Sequence, residues 1–385
     1  MAGRTGLGMN VFDAAVMRLT EQYEQGHRIV VSISGGKDST CCVELAAIAA
    51  ARAGRLPVEA VTRDEEINAP GTYEYLERLH ERDDIDLTWL VAHQPIVNAF
   101  DREAPFWWTF DQRLDPDEWV RKYPPYAIEI PEINIEAMTT YGRFPPEPGK
   151  ELRAVVGLRA SESRWRTMGV HSSGGYLTGP IKLTGVRNIR PIYDWQDGDV
   201  WKAIKTKGWD YNRAYDVMLR LGIPAKGLRI SPPTLNPGGG TLLQKVHSTA
   251  WPGWWDRVCR RLPSVRTFAK YGMVLVTPQR RLGETWEGCF QRTCVDGAPE
   301  WIRQRAVKAR EQVVSRHPRH STAPFPEAET CYSCYGNLGS WKALAYACYL
   351  GDPFSLRLNL PYVDPQFFRP ELAGTAAGKW DGHPG

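Results

Sequence analysis

A chain of 385 residues that is 42% hydrophobic and 24% charged, with a net charge of +4, is too apolar for a disordered tail and too long for a small disulfide scaffold. Its length suits two domains, or one domain carrying a large insertion. No apolar run approaches the roughly 20 residues that cross a bilayer, and the opening MAGRTGLGMN lacks a signal-peptide core, so a cytoplasmic protein without membrane partners is expected.

In chain order, the first 92 residues alternate strand and helix. Arg28-Ile-Val-Val-Ser-Ile33 is a short apolar run suited to a buried parallel strand, and the Ala-rich stretch from Thr40 to Ala53 predicts a helix stopped by Gly54. A strand over Val58 to Thr62, a helix over Thr72 to Arg82 and a strand over Leu87 to Val91 complete a βαβαβ pattern. Residues 95–150 break the rhythm with Pro, Trp and charge and read as an insertion near the site. Leu152 to Gly157 resumes the sheet, a polar helix starts at Ser161-Glu-Ser-Arg164, and Ser172 to Gly185 reads as a hairpin. Helices follow over Asp197 to Lys205 and Asn212 to Leu221, and Pro232 to Gly240 (PPTLNPGGG) is the candidate linker. The expected fold class is α/β: an open, mostly parallel sheet with helices on both faces over residues 1–235, then a basic, Cys- and Trp-rich region over 236–385.

Ser34-Gly35-Gly36-Lys37-Asp38-Ser39 lies between the first strand and the first helix. A glycine pair at a strand end lets backbone approach an anion, and the following helix N-terminus offers unpaired N–H groups and the positive end of a dipole. Phosphate is the natural ligand: Ser34, Ser39 and Thr40 can add hydroxyl donors, Lys37 a point charge, and Asp38 a handle on Mg²⁺ or on the loop backbone. The spacing is neither the Walker type nor G-x-G-x-x-G.

S-G-G-K-D-S resembles the PP-loop of the ATP pyrophosphatase superfamily. Gly157-Leu-Arg-Ala-Ser-Glu-Ser-Arg164 is similar to the G-x-R-x-x-E-S-x-x-R signature of phosphoadenosine phosphosulfate (PAPS) reductase relatives, with its last arginine displaced to Arg164 or Arg166. Arg190-Pro-Ile-Tyr-Asp-Trp-Gln-Asp-Gly-Asp-Val-Trp201 is similar to a further segment of that family. The resemblance covers roughly residues 25–235 and implies an adenine nucleotide alpha hydrolase-like fold. It further implies ATP or a related adenylyl nucleotide as ligand, Mg²⁺, and an enzyme that cleaves at the α-phosphate and releases pyrophosphate.

A strand ending at Gly157 in a parallel sheet delivers Arg159 and Arg164 to the carboxyl edge, where they can clamp a phosphate or a leaving pyrophosphate, with Glu162 holding one of them or capping a helix. A surface salt-bridge set of Arg159, Glu162 and Arg166 is the plainer alternative. Asp64-Glu65-Glu66 sits at another edge position and can contact ribose hydroxyls or metal, or form a solvated acidic turn. Lys37, Asp38 and Arg159 are the candidate catalytic residues.

The chain departs from true PAPS reductases in lacking their E-C-G-x-H cysteine motif; Cys348 in Tyr346-Ala-Cys-Tyr349 reads as a helix-face core residue, and the tandem Cys41-Cys42 lies inside the loop's own helix. Cys289-x4-Cys294 and Cys331-x2-Cys334 supply four thiols in two close pairs, enough for zinc or an iron-sulfur cluster if the pairs meet, with His317 and His320 near enough to substitute for one thiol. The segment from Cys331 to Asp352 is similar to the tail of PAPS-reductase-like proteins of phages and mobile elements, whose relatives include DNA phosphorothioation enzymes. That likeness implies sulfur transfer or nucleic-acid modification, with DNA, RNA or a sulfur-donor protein as partner.

Residues 1–150 hold 15 Lys/Arg against 25 Asp/Glu and residues 151–385 hold 33 against 19. This asymmetry marks either a polyanion-binding half or two mutually attracting faces. The 15 tryptophans serve as base-stacking platforms or as core. The reading adopted is a PP-loop nucleotide hydrolase or transferase; the alternatives are a sulfonucleotide reductase using an unrecognised thiol and a non-enzymatic, nucleotide-sensing DNA-binding regulator.

Overall fold

The structure is a computed structural model, and it describes residues 8–130, 141–181, 184–230 and 246–369. It divides into two units: unit 1 comprises Met1–His93 and Arg121–Pro232 with Gly385, and unit 2 comprises Gln94–Val120 and Pro233–Pro384. Residues 94–120, read from sequence as part of an insertion in the first domain, therefore cluster with the C-terminal region. The candidate linker at 232–240 lies outside the described residues.

Unit 1 is built on eight-residue or shorter apolar runs that bury both faces. The strands are β1 (Arg28–Ser32), β2 (Val58–Asp64), β3 (Ile85–Ala92), β6 (Ile128–Ile130), β7 (Leu152–Val155) and β8 (Arg187–Ile189), while β4 (Pro95–Val97) and β5 (Phe106–Trp108) belong to unit 2. Their order is β6-β3-β2-β1-β7-β8, and every pairing is parallel. Val30 and Val31 at the centre of β1 are fully buried, as expected for a strand covered on both sides. The chain moves outward from β1 through β2, β3 and β6, then returns to place β7 on the opposite side of β1. That reversal leaves a crevice outside the carboxyl ends of β1 and β7, the position where ligands bind in open α/β sheets.

The helices of unit 1 are α1 (Val11–Glu24), α2 (Lys37–Arg52), α3 (Thr72–His80), α4 (Arg164–Ser172), α5 (Asp197–Lys207) and α6 (Ala214–Arg220). The Asn10 side chain caps α1 by accepting from the Asp13 N–H, and α1 packs on α2. Helix α2 starts at Lys37, three residues before its predicted start, so the last residues of the glycine loop are its first turn. The predicted hairpin takes the form of residues 176–181 running against 186–190, through the Thr178 N–H to Asn188 O (3.0 Å) and Ile181 N–H to Val186 O (2.9 Å) bonds.

One close approach fixes the geometry of the crevice. A Cβ added to Gly157, just after β7, would lie 2.9 Å from both the Asp38 carbonyl carbon and the Ser39 nitrogen in the first turn of α2. Those neighbours are backbone, so nothing flexible can yield. Gly157→Ala is expected to cost about 1–3 kcal/mol in chemical denaturation. Gly198→Ala serves as the control: that glycine lies inside α5 with open space around it, and the change should be neutral or stabilising by up to about 1 kcal/mol.

Unit 2 contains a short antiparallel hairpin, β4 (Pro95–Val97) with β5 (Phe106–Trp108), and helices α7 (Pro252–Arg261), α8 (Pro263–Tyr271), α9 (Trp286–Phe290), α10 (Glu300–Val314), α11 (Tyr332–Tyr335) and α12 (Trp341–Cys348). A core of Phe290, Cys294, Ala306, Val313, Leu344 and Cys348 joins α9, α10 and α12. Trp107, Trp108, Trp119, Trp254, Trp301 and Trp341 are all buried, so these rings serve as packing rather than as an exposed stacking surface.

Counted by unit, the charge asymmetry between the halves disappears. Unit 1 carries 27 Lys/Arg against 26 Asp/Glu, and unit 2 carries 21 against 18. The acidic segment 94–120 clusters with the basic C-terminal region and offsets it. The contrast between the two halves of the chain therefore gives no argument for a polyanion-binding domain.

Candidate functional site

The β1–α2 loop is held in shape by its own hydroxyls and by a segment far along the chain. Gly35 has φ of +72° and Gly36 is the extended N-cap of α2, the two conformations that let the strand turn directly into the helix. The Ser39 and Thr40 hydroxyls both donate to the Gly36 carbonyl (3.0 Å each), and the Ser34 N–H donates to Ser39 Oγ (3.3 Å). Thr40 is fully buried, so this hydroxyl braces the loop instead of facing outward. Asn212 Nδ2 donates to the Gly35 carbonyl (3.1 Å), and the Lys37 N–H donates to the Tyr215 hydroxyl (2.9 Å). Burial pushes the Tyr215 phenol well up, so it stays protonated and neutral beside the loop.

Lys37, Asp38 and Arg159 meet at the crevice, together with Asp197, which sequence reasoning missed. Lys37 Nζ lies 3.3 Å from Asp38 Oδ2 and 3.8 Å from Asp197 Oδ1. Arg159 Nε donates to Asp38 Oδ1 (2.6 Å) and its Nη2 to Asp197 Oδ1 (2.8 Å). Arg159 is 2% exposed and Lys37 6%, so both cations are held on the protein side of the crevice. Asp197 stands in the first turn of α5, where an acid suits the helix dipole. Its link to the loop exists only in the folded chain.

The remaining residues of the G-x-R segment divide in two. Glu162 forms an ion pair with Arg166. Arg166 is also close enough to Arg229, Asp38 and Arg159 that burial and then Arg229 lower its affinity for the proton. Arg164 and Arg166 are both exposed, and of the two candidates for the displaced arginine Arg166 is the one paired with Glu162. Ser163 caps α4 by accepting from the Arg166 N–H (3.2 Å). Lys37, Arg159, Arg166 and Arg229 thus stand against Asp38, Asp197 and Glu162. With the N-terminus of α2, this leaves a modest positive excess suited to a phosphate.

The acidic turn after β2 is otherwise occupied. Asp64 is buried; it accepts from the Glu66 N–H (3.0 Å) and from Trp89 Nε1 (2.9 Å), and it pairs with Arg121. It is therefore not a solvated acid. Burial raises the Glu65 carboxyl above its ordinary range.

Seven of the eight cysteines are buried, and Cys331 is half-buried. Cys41, Cys42 and Cys348 all have thiol pKa values pushed up by burial, which makes each of them a poor nucleophile. The four-thiol grouping does not form. Cys294 is pushed up to about 11 by burial, and its Sγ lies 3.6 Å from the Ala345 carbonyl inside the unit 2 core. The group brought together is His317, Cys331 and Cys334, and Cys289, Cys294 and His320 are not members of it among the described residues.

A family model described as the phosphoadenosine phosphosulfate reductase domain matches residues 28–222. The chain is 28% identical over 284 residues to the uncharacterized protein YbdN of Escherichia coli (strain K12), covering 69% of this chain and 68% of that one. Among solved structures it is similar to the FMN adenylyltransferase of Candida glabrata (TM-score 0.35, 13% identity, 53% of this chain and 57% of that chain). It is also similar to the phosphoadenylyl-sulfate reductase of Candida auris in a phosphate complex (TM-score 0.34, 11% identity, 54% and 85%). The matched span begins at β1 and runs past α6, enclosing Lys37, Asp38, Arg159, Arg166 and Asp197, and the chain belongs to the phosphoadenosine phosphosulfate reductase domain family.

Proposed function

We infer that unit 1 is an enzyme that seats the phosphates of ATP, or of a related adenylyl nucleotide, on the β1–α2 loop and cleaves at the α-phosphate. The observation that carries this reading is the meeting of Lys37 and Arg159 with the N-terminus of α2 at the β1/β7 crevice. An acceptor oxygen or sulfur attacks the α-phosphorus, the bond to the α–β bridging oxygen breaks, and pyrophosphate leaves with the electron pair. With water as acceptor the products are AMP, pyrophosphate and a proton. Negative charge grows on the departing bridging oxygen, and two buried cations fixed beside it would stabilise that charge without reorganising. Asp38 and Asp197 act as positioning residues that hold the two cations in place.

Magnesium enters with the nucleotide as part of the substrate. Both Asp38 oxygens already accept from Arg159 and Lys37, so Asp38 is poorly placed to hold a metal of its own. An adenylylated acceptor is a suitable entry to sulfur transfer or nucleic-acid modification. Sulfonucleotide reduction is the weaker reading, because unit 1 offers only two buried thiols with raised pKa values.

The full chain incubated with MgATP is expected to release equal amounts of AMP, or of adenylylated acceptor, and pyrophosphate. Sulfite release from phosphoadenylyl sulfate with a thiol donor, without pyrophosphate from ATP, would replace this reading with the reductase.

A further inference from the structure

Between α10 and α12 of unit 2 the chain has little regular structure: a 3-10 turn at His317–Arg319, the four-residue α11, and a second 3-10 turn at Gly336–Leu338. It nevertheless gathers three soft ligand atoms. His317 Nδ1 lies 2.9 Å from Cys334 Sγ, Cys331 Sγ lies 3.0 Å from Cys334 Sγ, and all three atoms lie within 4.8 Å of one another. His317 and Cys334 are buried, while Cys331 is partly exposed.

The imidazole is oriented by its other nitrogen. His317 Nε2 lies 2.9 Å from the Ala323 carbonyl, which only accepts, so Nε2 carries the proton and Nδ1 presents its lone pair to the thiols. A carbonyl or carboxylate behind the ring is the usual partner of a metal-ligating histidine. Phe325 meets the ring edge-on (5.5 Å) and limits its rotation. Gly339 allows the backbone of Cys331 to close on it: the Cys331 N–H donates to the Gly339 carbonyl (2.8 Å), and a side chain at 339 would collide with Cys331 backbone.

The geometry points to a zinc site in unit 2 whose protein ligands are His317 Nδ1, Cys331 Sγ and Cys334 Sγ, with a fourth position open on the side of the partly exposed Cys331. Two thiolates and an imidazole match the preference of zinc, whereas a four-iron cluster needs four cysteines. With zinc–sulfur bonds of about 2.3 Å and tetrahedral angles, bound thiolates stand about 3.8 Å apart. The sulfur pair at 3.0 Å therefore opens by less than about 1 Å to admit the ion. Two thiolates cancel the dication, so the buried group is neutral. The site ties the end of α10 to the turn that precedes α12, through a stretch with little regular structure.

The test uses the full chain. Purified from zinc-supplemented cells and dialysed, it is expected to carry about one zinc per chain, the stoichiometry of one tetrahedral site. Cobalt substitution should give the thiolate-to-cobalt absorption of a tetrahedral site with sulfur ligands. Cys331→Ser and His317→Ala should each lose most of the zinc, and Cys289→Ser should keep it. Zinc retained in both ligand variants, iron with acid-labile sulfide, or a metal-free chain with a Cys331–Cys334 disulfide would overturn the assignment. If the ligand variants fail to fold, the unmodified chain decides: a cobalt form without thiolate absorption sinks the proposal, and one with it, abolished by a chelator, supports it.

Discussion

Lys37→Ala is expected to lower kcat/KM for pyrophosphate release by at least about 100-fold, the scale of loss when one preorganised charge donor is removed from a transition state. The fold should survive. Asp38 keeps its 2.6 Å bond from Arg159, so no carboxylate is left without a cation, and the loop bonds from Ser34, Ser39, Thr40, Asn212 and Tyr215 do not involve the ammonium. Pyrophosphate release assayed beside a urea titration separates the two effects. Unchanged turnover in a folded variant would refute the loop as the phosphate seat.

Arg159 should behave differently, because it joins the loop to α5. Arg159→Ala leaves the half-buried Asp38 with only the 3.3 Å contact to Lys37, and unpairing a fully buried ion pair costs about 3–5 kcal/mol. The lower end of that range is expected, since the other partner, Asp197, is 47% exposed and solvent screens it. Arg159→Lys keeps the charge, but an ammonium cannot reproduce the planar fork that reaches Asp38 and Asp197 together. It should cost about 1 kcal/mol or less in stability yet lower turnover by about 10²-fold, as misplacement near a reacting centre does. A drop in kcat much larger than the change in the urea midpoint is the signature; equal losses in both would reduce Arg159 to a structural residue.

The loop is legible in the sequence because six adjacent residues carry both the turn and the ligand chemistry, and because an apolar run precedes them. Gly157 and Arg159 are legible for a similar reason: they follow a strand, and strand ends in a parallel sheet share one edge. Asp197, Asn212 and Tyr215 are not. Asn212 and Tyr215 reach the loop from 177 and 178 residues away, and nothing local marks an asparagine or a tyrosine for that task. Strands β6 and β8 are three residues each and lie in polar surroundings, too short for alternation to register. Helix α1 did carry a signal, an Asn10 cap before apolar residues at Ala15, Val16, Leu19 and Tyr23, which the strand-led pattern from residue 28 overshadows. Cysteine spacing finds Cys331 and Cys334 but pairs them with the wrong partners, since Cys294 turns into a core whose neighbours are alanine, leucine and phenylalanine.

The contacts of Asn212 and Tyr215 with the loop bear on how small a working nucleotide-binding fragment can be. A piece ending after β7 would retain the whole Ser34–Ser39 signature and lose what moulds it, and Gly35 would be free to wander among conformations that a glycine reaches at almost no cost. Such a truncation would read as intact to any motif search and be blind to nucleotide in the test tube. The intact chain, by contrast, holds its receptacle ready before a guest arrives, so little of the association energy is spent on ordering the backbone.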